Sequence, residues 1–189
     1  MTALEGLHLC YIDLKDFESA LNAVERAQEL APEDSTILRS KANALFELKR
    51  YDKAISAYES VLDMDARDLL AWRNFISCLL DAGEFDKAAR KGKEAVNLFE
   101  KEGYLFYLTG LAYHSKGEFD KALEYYREAE KKMLPNAELY YNIACCYSKK
   151  EETAEAVKYL KETLEINPEF RDILKNDDDF KQIPEVQDL

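Results

Sequence analysis

Hydrophobic and small residues recur along this chain at a fixed spacing of 34 positions. One column of the pattern holds a small side chain in all five copies, and another holds a large aromatic side chain in the first four. The first column holds Ala20, Ala54, Ala88, Ala122 and Ala156, and the second holds Phe17, Tyr51, Phe85 and Phe119. A period of this length indicates an array of similar supersecondary units. Five copies cover residues 1–170 and leave a tail of 19 residues.

Each copy has the pattern of two helices. In the fourth copy, apolar residues keep helical spacing from Tyr104 to Ser115 and again from Phe119 to Lys132, which predicts two amphipathic helices. Gly117 lies between them, where its conformational freedom allows a turn, and Pro135 follows the second helix. The sequence therefore predicts an all-α chain of five helix-turn-helix repeats, with boundaries at 1–34, 35–68, 69–102, 103–136 and 137–170.

These residues resemble the tetratricopeptide repeat (TPR) family. Trp72 occupies the position of the family's opening aromatic residue, and the other motif positions match Gly110, Tyr113, Ala122, Tyr126 and Ala129. The resemblance extends over residues 1–170 of the 189. It implies a right-handed α-solenoid of antiparallel helix pairs that binds another protein. Stacking is also physically required, because one helix pair cannot bury its apolar face alone.

One second-helix column contains a glycine where the other repeats hold larger residues. Gly92 aligns with Val24, Tyr58, Tyr126 and Leu160. Glycine inside a helix costs about 1 kcal/mol relative to alanine, and it offers no side chain for packing. We therefore expect the third repeat to be loosely packed at Gly92 and to be the softest point of the array.

The tail, residues 171–189, begins like another first helix. Asn176 and the three aspartates after it break the helical pattern, and Phe180 and Ile183 then give one more apolar turn. This arrangement resembles the short terminal caps of repeat arrays. We predict that the tail covers the outer face of the last repeat, which would otherwise be exposed.

Composition limits the partners and the location that we expect. With 47% hydrophobic and 34% charged residues, the chain is typical of a folded soluble protein. Its net charge of −12 disfavours nucleic acid and anionic membranes as partners. No apolar run reaches the roughly 20 residues of a membrane span, and the first residues lack the pattern of a signal peptide. The chain is therefore predicted to be cytoplasmic.

The cysteines and histidines do not form a catalytic or metal-binding motif. One column consists of small residues only: Cys10, Ala44, Cys78, Ala112 and Cys146. Its cysteines are predicted to act as small buried hydrophobic residues. Cys145 falls one position earlier, which predicts a reactive thiol facing the binding groove, and His8 is predicted to be packed inside its repeat. Because neither His8 nor His114 has a Cys or His at metal spacing, we expect no metal, no cofactor and no enzymatic activity.

By the family resemblance, the first helices line a groove, and their inward columns form the predicted peptide-binding site. Asparagine can pair with a peptide main chain, arginine suits carboxylates, and tyrosine combines apolar area with a polar tip. The predicted site consists of Arg39, Asn43, Arg73, Asn74, Tyr104, Tyr107, Leu108, Leu111, His114, Tyr141 and Asn142. Tyr104, Tyr107 and Leu108 would form a sizeable apolar surface if they were bare, and such surfaces mark interaction sites. We expect a peptide or helix with an apolar anchor near Tyr107 and an acidic group toward Arg39 and Arg73.

Two alternatives to a general scaffold stay open at this point. Some TPR co-chaperones hold a C-terminal carboxylate in a clamp of cations and asparagines, and three clamp positions match Arg39, Asn43 and Asn74. Tyr104 and Leu108 stand where the last two cations of the clamp would be, so the clamp would be degenerate. The other alternative is a non-catalytic subunit of an enzyme complex.

Overall fold

The structure, a computed structural model, describes residues 16–186. Helices dominate this part of the chain, and no strand occurs within it. The helices are α1 Phe17–Leu30, α2 Ser35–Glu47, α3 Tyr51–Met64, α4 Leu69–Asp81, α5 Phe85–Leu98, α6 Gly103–Ser115, α7 Phe119–Lys132, α8 Ala137–Lys149, α9 Thr153–Ile166 and α10 Phe170–Leu174. Two 3₁₀ turns follow, at Asp178–Phe180 and Pro184–Val186. The prediction of an all-α chain is confirmed.

Helix pairs recur in this structure every 34 residues. From α2 to α9, each first helix has 13 residues and each second helix has 14. Helix α1 is the second helix of the first predicted repeat. The predicted first helix of that repeat, with His8 and Cys10, lies outside the described residues.

Two compact units make up the chain, with their boundary between Glu84 and Phe85. The described part of the first unit contains α1 to α4, and the second unit contains α5 to α10 with the 3₁₀ turns. The boundary lies between the two helices of the third predicted repeat. Sequence repeats and compact units are therefore two different divisions of this chain.

Small side chains let the helices within each unit approach closely. Two columns have no exposed surface at any described position: Ala20, Ala54, Ala88, Ala122 and Ala156, and Ala44, Cys78, Ala112 and Cys146. A larger residue at such a position would overpack the helix interface at a cost of about 1–3 kcal/mol. The predicted role of the second column as a buried small-residue column is confirmed.

The first helices begin at polar capping residues. The side chains of Asp34, Asp68 and Asn136 accept hydrogen bonds from main-chain N–H groups of α2, α4 and α8, at 2.8, 3.0 and 2.8 Å respectively. A cap of this kind contributes about 1 kcal/mol to helix stability. These caps fix where α2, α4 and α8 start, and therefore which of their side chains face their neighbours; Glu102, at the start of α6, makes no such bond.

The turn between the two helices of a repeat requires a left-handed backbone. The φ angle is +76° at Gly83 and +73° at Gly117, and it is +56° at Lys49 and +62° at Glu151. In all four turns, the N–H of the next residue donates to a carbonyl five positions earlier, at 2.8–2.9 Å. This bond is typical of a helix that ends at a left-handed residue. Since only glycine enters this region without strain, Lys49 and Glu151 are held there by the surrounding turn.

Gly92 is tightly packed, so the prediction of a loose third repeat at this position is wrong. A Cβ at Gly92 would lie 2.4 Å from the Oγ1 of Thr109 and 3.0 Å from its Cβ. Thr109 is fully buried in α6, and its hydroxyl donates to the carbonyl of Leu105 at 2.7 Å. The space left by the missing side chain is thus filled by Thr109.

Candidate protein-interaction surfaces

Helices α6 and α8 of the second unit carry most of the residues predicted for binding. Five of these residues are partly exposed, and together we call them the second-unit surface: Tyr104, Leu111, His114, Tyr141 and Asn142. Asn142 connects the two helices, because its side-chain amide donates to the Tyr107 hydroxyl at 3.2 Å. The surface therefore stands on a hydrogen-bonded pair of first helices.

Tyr107 and Leu108 are buried, with 8% and 3% of their surface exposed. The rings of Tyr104 and Tyr126 lie beside Tyr107, with centroid distances of 5.8 and 6.0 Å. Burial also raises the pKa of the Tyr107 hydroxyl. The expectation that Tyr107 and Leu108 form a bare apolar surface is wrong, because the Tyr107 ring is already packed against α7.

His114 places its ring among aromatic side chains. Its Nδ1 lies 3.3 Å from the Tyr126 hydroxyl, and its ring meets that of Phe119 edge to face at 5.7 Å. Burial lowers the pKa of His114; the negative charge of Asp179 partly offsets this effect, and Lys149 adds to it. The neutral imidazole is therefore favoured at pH 7, where it can both donate and accept a hydrogen bond.

The first unit carries four partly exposed predicted residues, which we call the first-unit polar set: Arg39, Asn43, Arg73 and Asn74. Arg39 forms an ion pair with Asp68, the residue that also caps α4. Asn43 accepts hydrogen bonds from the Tyr58 hydroxyl at 2.7 Å and from the Asn74 amide at 3.0 Å. Three members of this set thus already make internal bonds, which hold their side chains in place.

The three thiols among residues 16–186 lack the exposure that reactivity requires. Cys145 is 4% exposed, and Cys78 and Cys146 have no exposed surface. Burial raises the pKa of Cys145, and it raises the pKa of Cys78 and of Cys146 to about 12. Little thiolate, the nucleophilic form, is then present at neutral pH. The prediction of a reactive thiol at Cys145 is therefore wrong.

Sequence reasoning missed the contacts between α8 and the C-terminal turns. Tyr141 donates its hydroxyl hydrogen to Asp177, and Lys149 pairs with Asp179 at 2.5 Å. Repeat alignment cannot find these pairs, because the tail leaves the 34-residue pattern and has no column for comparison. The available signal was the run of three aspartates before Phe180. One predicted binding residue, Tyr141, is thus contacted by the chain's own tail.

Residues 16–186 contain neither a metal-binding cluster nor a membrane-spanning helix. Nowhere in this range do three or more His, Cys, Asp or Glu side chains gather in a way that could hold a metal ion. Every helix in the same range is too short or too polar to cross a bilayer.

A surface cleft of about 640 Å³ lies among α1, α2 and α3 in the first unit. Its charged lining residues pair with one another: Arg50 contacts Glu18 at 2.6 Å, and Lys41 lies 3.8 Å from Glu25. Acidic and basic side chains both line the cleft, so its charge does not favour a ligand of either sign. It therefore adds no candidate to the residues already described.

The helix-turn-helix period and the fully buried alanine column define a repeat protein of stacked helix pairs. Family models described as tetratricopeptide repeat match residues 11–68, 41–104 and 78–138, and another match covers 137–170. These matches run without a large gap from residue 11 to residue 170. The chain belongs to the tetratricopeptide repeat family. Repeats of this family are generally non-catalytic modules that bind other proteins or peptides.

Several solved structures share the fold. MamA from Desulfovibrio magneticus RS-1, from residue 41 to its end, is 17% identical with a TM-score of 0.80, over 88% of this chain and 94% of that one. A structure described under the functional characterization of Pseudomonas aeruginosa pilF is 19% identical with a TM-score of 0.81, over 98% and 85%. YrrB, described as a TPR protein with an unusual peptide-binding site, is 20% identical with a TM-score of 0.70, over 85% and 83%. Comparison with curated proteins finds no match.

Proposed function

We propose that this chain is a scaffold that holds a peptide or a short helix of another protein against the first helices of its repeats. The observation that carries the proposal is the second-unit surface, whose five residues are partly exposed on α6 and α8, in the columns that the family resemblance predicts to face the groove. Tyrosine, histidine and asparagine can all bond to a peptide main chain. The rings of Tyr104 and Tyr141 add apolar contact area, as aromatic residues do at many interfaces.

The first-unit polar set is proposed as a second region of contact. Arg73 and Asn74 are partly exposed there, and an arginine fork suits a carboxylate of the partner. Arg39 is paired with the carboxylate of Asp68. This pairing, and the lack of cations at Tyr104 and Leu108, leave the co-chaperone clamp without a supporting observation. The peptide-binding site described for YrrB is compatible with the scaffold proposal.

Site-specific photocrosslinking in native lysate tests the proposal. A photoreactive amino acid replaces Tyr104 on α6, and in a matched control it replaces Glu124, an exposed residue of α7. We expect covalent adducts with a partner from position 104 and none from position 124. The adducts should disappear in a Leu111→Ala/His114→Ala background, with the helical content checked by circular dichroism. Adducts from position 124 alone would contradict the proposal and would favour a site on the second helices.

A further inference from the structure

The last described residues of the chain pack on helix α8. We call residues 176–186 the C-terminal segment. The Tyr141 hydroxyl donates to the Asp177 carboxylate, and the Ser148 hydroxyl donates to the main-chain carbonyl of Asp179. The Lys149 ammonium lies 2.5 Å from the Asp179 carboxylate. Three donors of α8 are therefore taken by two acidic residues of the segment.

An aromatic residue anchors the same segment. Phe180 is 1% exposed, and its ring meets the Tyr141 ring edge to face at a centroid distance of 5.8 Å. Ile183 and Val186 are also buried, at 5% and 8% exposure. Full burial of a phenylalanine side chain is the largest single apolar contribution that this short segment can make. The segment is thus held by one ring and by a pair of carboxylates before it.

The segment reaches residues that the sequence assigns to the binding groove. Tyr141 belongs to the second-unit surface, and His114 of α6 is near enough for the Asp179 charge to act on its pKa. The charges of Asp177 and Asp179 likewise act on Cys145, the groove-facing cysteine of the sequence analysis. The charge of Asp179 therefore acts on side chains of two successive first helices, α6 and α8, while its bonds are to α8.

We infer that the C-terminal segment occupies part of the binding surface as an internal ligand, and that the partner presents the same chemistry. The partner segment would carry two acidic residues separated by one residue and followed directly by an aromatic residue, as in Asp177 to Phe180. Tyr141, Ser148 and Lys149 supply the donors for the acidic residues, and the Phe180 site takes the aromatic ring. This inference rests on the proposed function and moves the acidic contact from Arg39 and Arg73 to Lys149.

Competition between the two ligands gives the inference a measurable consequence. A tethered segment acts at an effective concentration of roughly millimolar, so it masks the surface from a weak free peptide. Removing the Phe180 ring should therefore open the surface while the helices below keep their fold.

The test uses the full-length chain and a fluorescent peptide that reproduces residues 174–186. Fluorescence anisotropy gives the dissociation constant of the peptide for the wild type and for Phe180→Ala. We expect the peptide to bind Phe180→Ala at least tenfold more tightly than the wild type. A peptide with alanine in place of Phe180 should bind at least tenfold more weakly than the original, and so should the original peptide to Phe180→Ala/Lys149→Ala.

A second variant, also designed to release the C-terminal segment, replaces Phe180→Ala if that variant fails to fold. Asp179→Ala keeps the Phe180 ring and removes only the carboxylate that pairs with Lys149, and circular dichroism decides which variant is used. Equal affinity of the peptide for the wild type and the opened variant would overturn the inference. Affinity that does not depend on the phenylalanine of the peptide would overturn it as well.

Two further measurements distinguish this inference from binding to a second copy of the chain and from the proposed scaffold function. A wild-type dimer that forms with rising concentration and is absent in Phe180→Ala, seen by light scattering, would mean that the segment binds a second copy, and would overturn the inference of another protein. Crosslinking from position 104 does not depend on the peptide. Adducts there without peptide binding would reject this inference alone, whereas peptide binding without adducts would reject the proposed scaffold.

Discussion

Gly92 and Thr109 share one site in the second unit, and neither residue can change freely without the other. The nearest atom to a Cβ on Gly92 is the Thr109 hydroxyl oxygen, at 2.4 Å. That oxygen is fixed by its bond to the Leu105 carbonyl at 2.7 Å. The threonine therefore cannot turn aside without leaving a buried hydroxyl unsatisfied, which is costly.

Gly92→Ala should lower the free energy of unfolding by about 1 kcal/mol. Overpacking costs about 1–3 kcal/mol, and the better helix propensity of alanine returns about 1 kcal/mol. Thermal unfolding followed by circular dichroism measures the change. In the double variant Gly92→Ala/Thr109→Ala, the loss should be smaller than the sum of the two single losses, since the clash is removed. An unchanged or raised melting temperature in Gly92→Ala would contradict this packing.

Glu151→Gly should stabilise the chain, because residue 151 has a φ of +62°. A left-handed conformation costs a non-glycine residue about 1–2 kcal/mol, and the greater freedom of glycine in the unfolded chain offsets about 0.5–1 kcal/mol of the gain. The net gain of about 0.5–1 kcal/mol corresponds to roughly 2 °C in melting temperature. Gly117→Ala is the matched control and should lower the melting temperature. An added Cβ would meet open space there, so the only effect is the strain of a left-handed backbone at alanine.

At this scale, the sequence predicts what is repeated and fails on what occurs once. The small-residue column of Ala44, Cys78, Ala112 and Cys146 is buried as predicted, because its steric requirement is the same in every repeat. The packing of Thr109 could not be predicted in this way, because Thr109 fills the space beside Gly92, which lies in another helix. Burial of Tyr107 was also missed, because its partners Tyr104, Tyr126 and Asn142 occupy different columns.

Between elements, two ionic joints repeat at a spacing of 34 residues in the second unit. Lys116 contacts Asp86 of α5 at 2.8 Å and Glu118 at 2.7 Å. Lys150 contacts Asp120 of α7 at 2.7 Å and Glu152 at 2.8 Å. Each lysine ties the turn of its own repeat to the second helix of the preceding one. Because these groups are at the surface, each joint contributes little by itself.

The joint at Lys116 should make the stability of the chain depend on pH. Hydrogen bonds from Lys116 and Lys121 hold the pKa of Glu118 below its ordinary value of 4.5, and those to Asp86 and Glu118 hold the pKa of Lys116 above 10.5. A lowered carboxyl pKa means that the stabilisation is present above pH 4.5 and is lost as the pH falls through the folded value. A raised lysine pKa means that it is present below pH 10.5 and is lost as the pH rises through the folded value.

Lys116→Met should therefore melt at a slightly lower temperature than the wild type at pH 7. The difference should shrink as the pH falls below about 4.5, and also at about 1 M salt, where exposed charges are screened. Lys93→Met, at an exposed lysine of α5, is the control for the loss of one positive charge. A difference that persists at low pH would mean that packing of the lysine stem, and not the ion pairs, is responsible.

For the elements, the sequence predicts the helices well and their contacts only in part. Turns were expected at glycines, and Gly83 and Gly117 do adopt left-handed angles. Lys49 and Glu151 adopt the same angles without glycine, because the turn geometry of the array outweighs their local preference. The joints at Lys116 and Lys150 were not predicted, since the partners of each lysine come partly from the preceding repeat.

Over the whole molecule, the tail should protect the last repeat. Phe180→Ala, or deletion of residues 171–189, should speed amide hydrogen exchange in α8 and α9 and leave α7 nearly unchanged, because stability in repeat arrays is roughly a sum over neighbours. Gln182→Ala, at an exposed position of the tail, is the matched control. Equal protection of residues 137–168 in all forms would show that the tail contributes nothing as a cap.

The boundary between Glu84 and Phe85 has a consequence for how a repeat gene can gain repeats by tandem duplication. Tandem duplication at the sequence boundaries would copy a first helix with the second helix that follows it. In the first unit, however, α4 packs with helices that precede it: the rings of Phe75 and Tyr58 lie 6.0 Å apart, and Asn74 bonds to Asn43. A duplicated block that begins with a second helix and ends with the next first helix would carry the Tyr58–Phe75 contact with it, whereas the Asn43–Asn74 bond joins two first helices. At this one point, the boundary between compact units and the boundary between sequence repeats lie half a repeat apart.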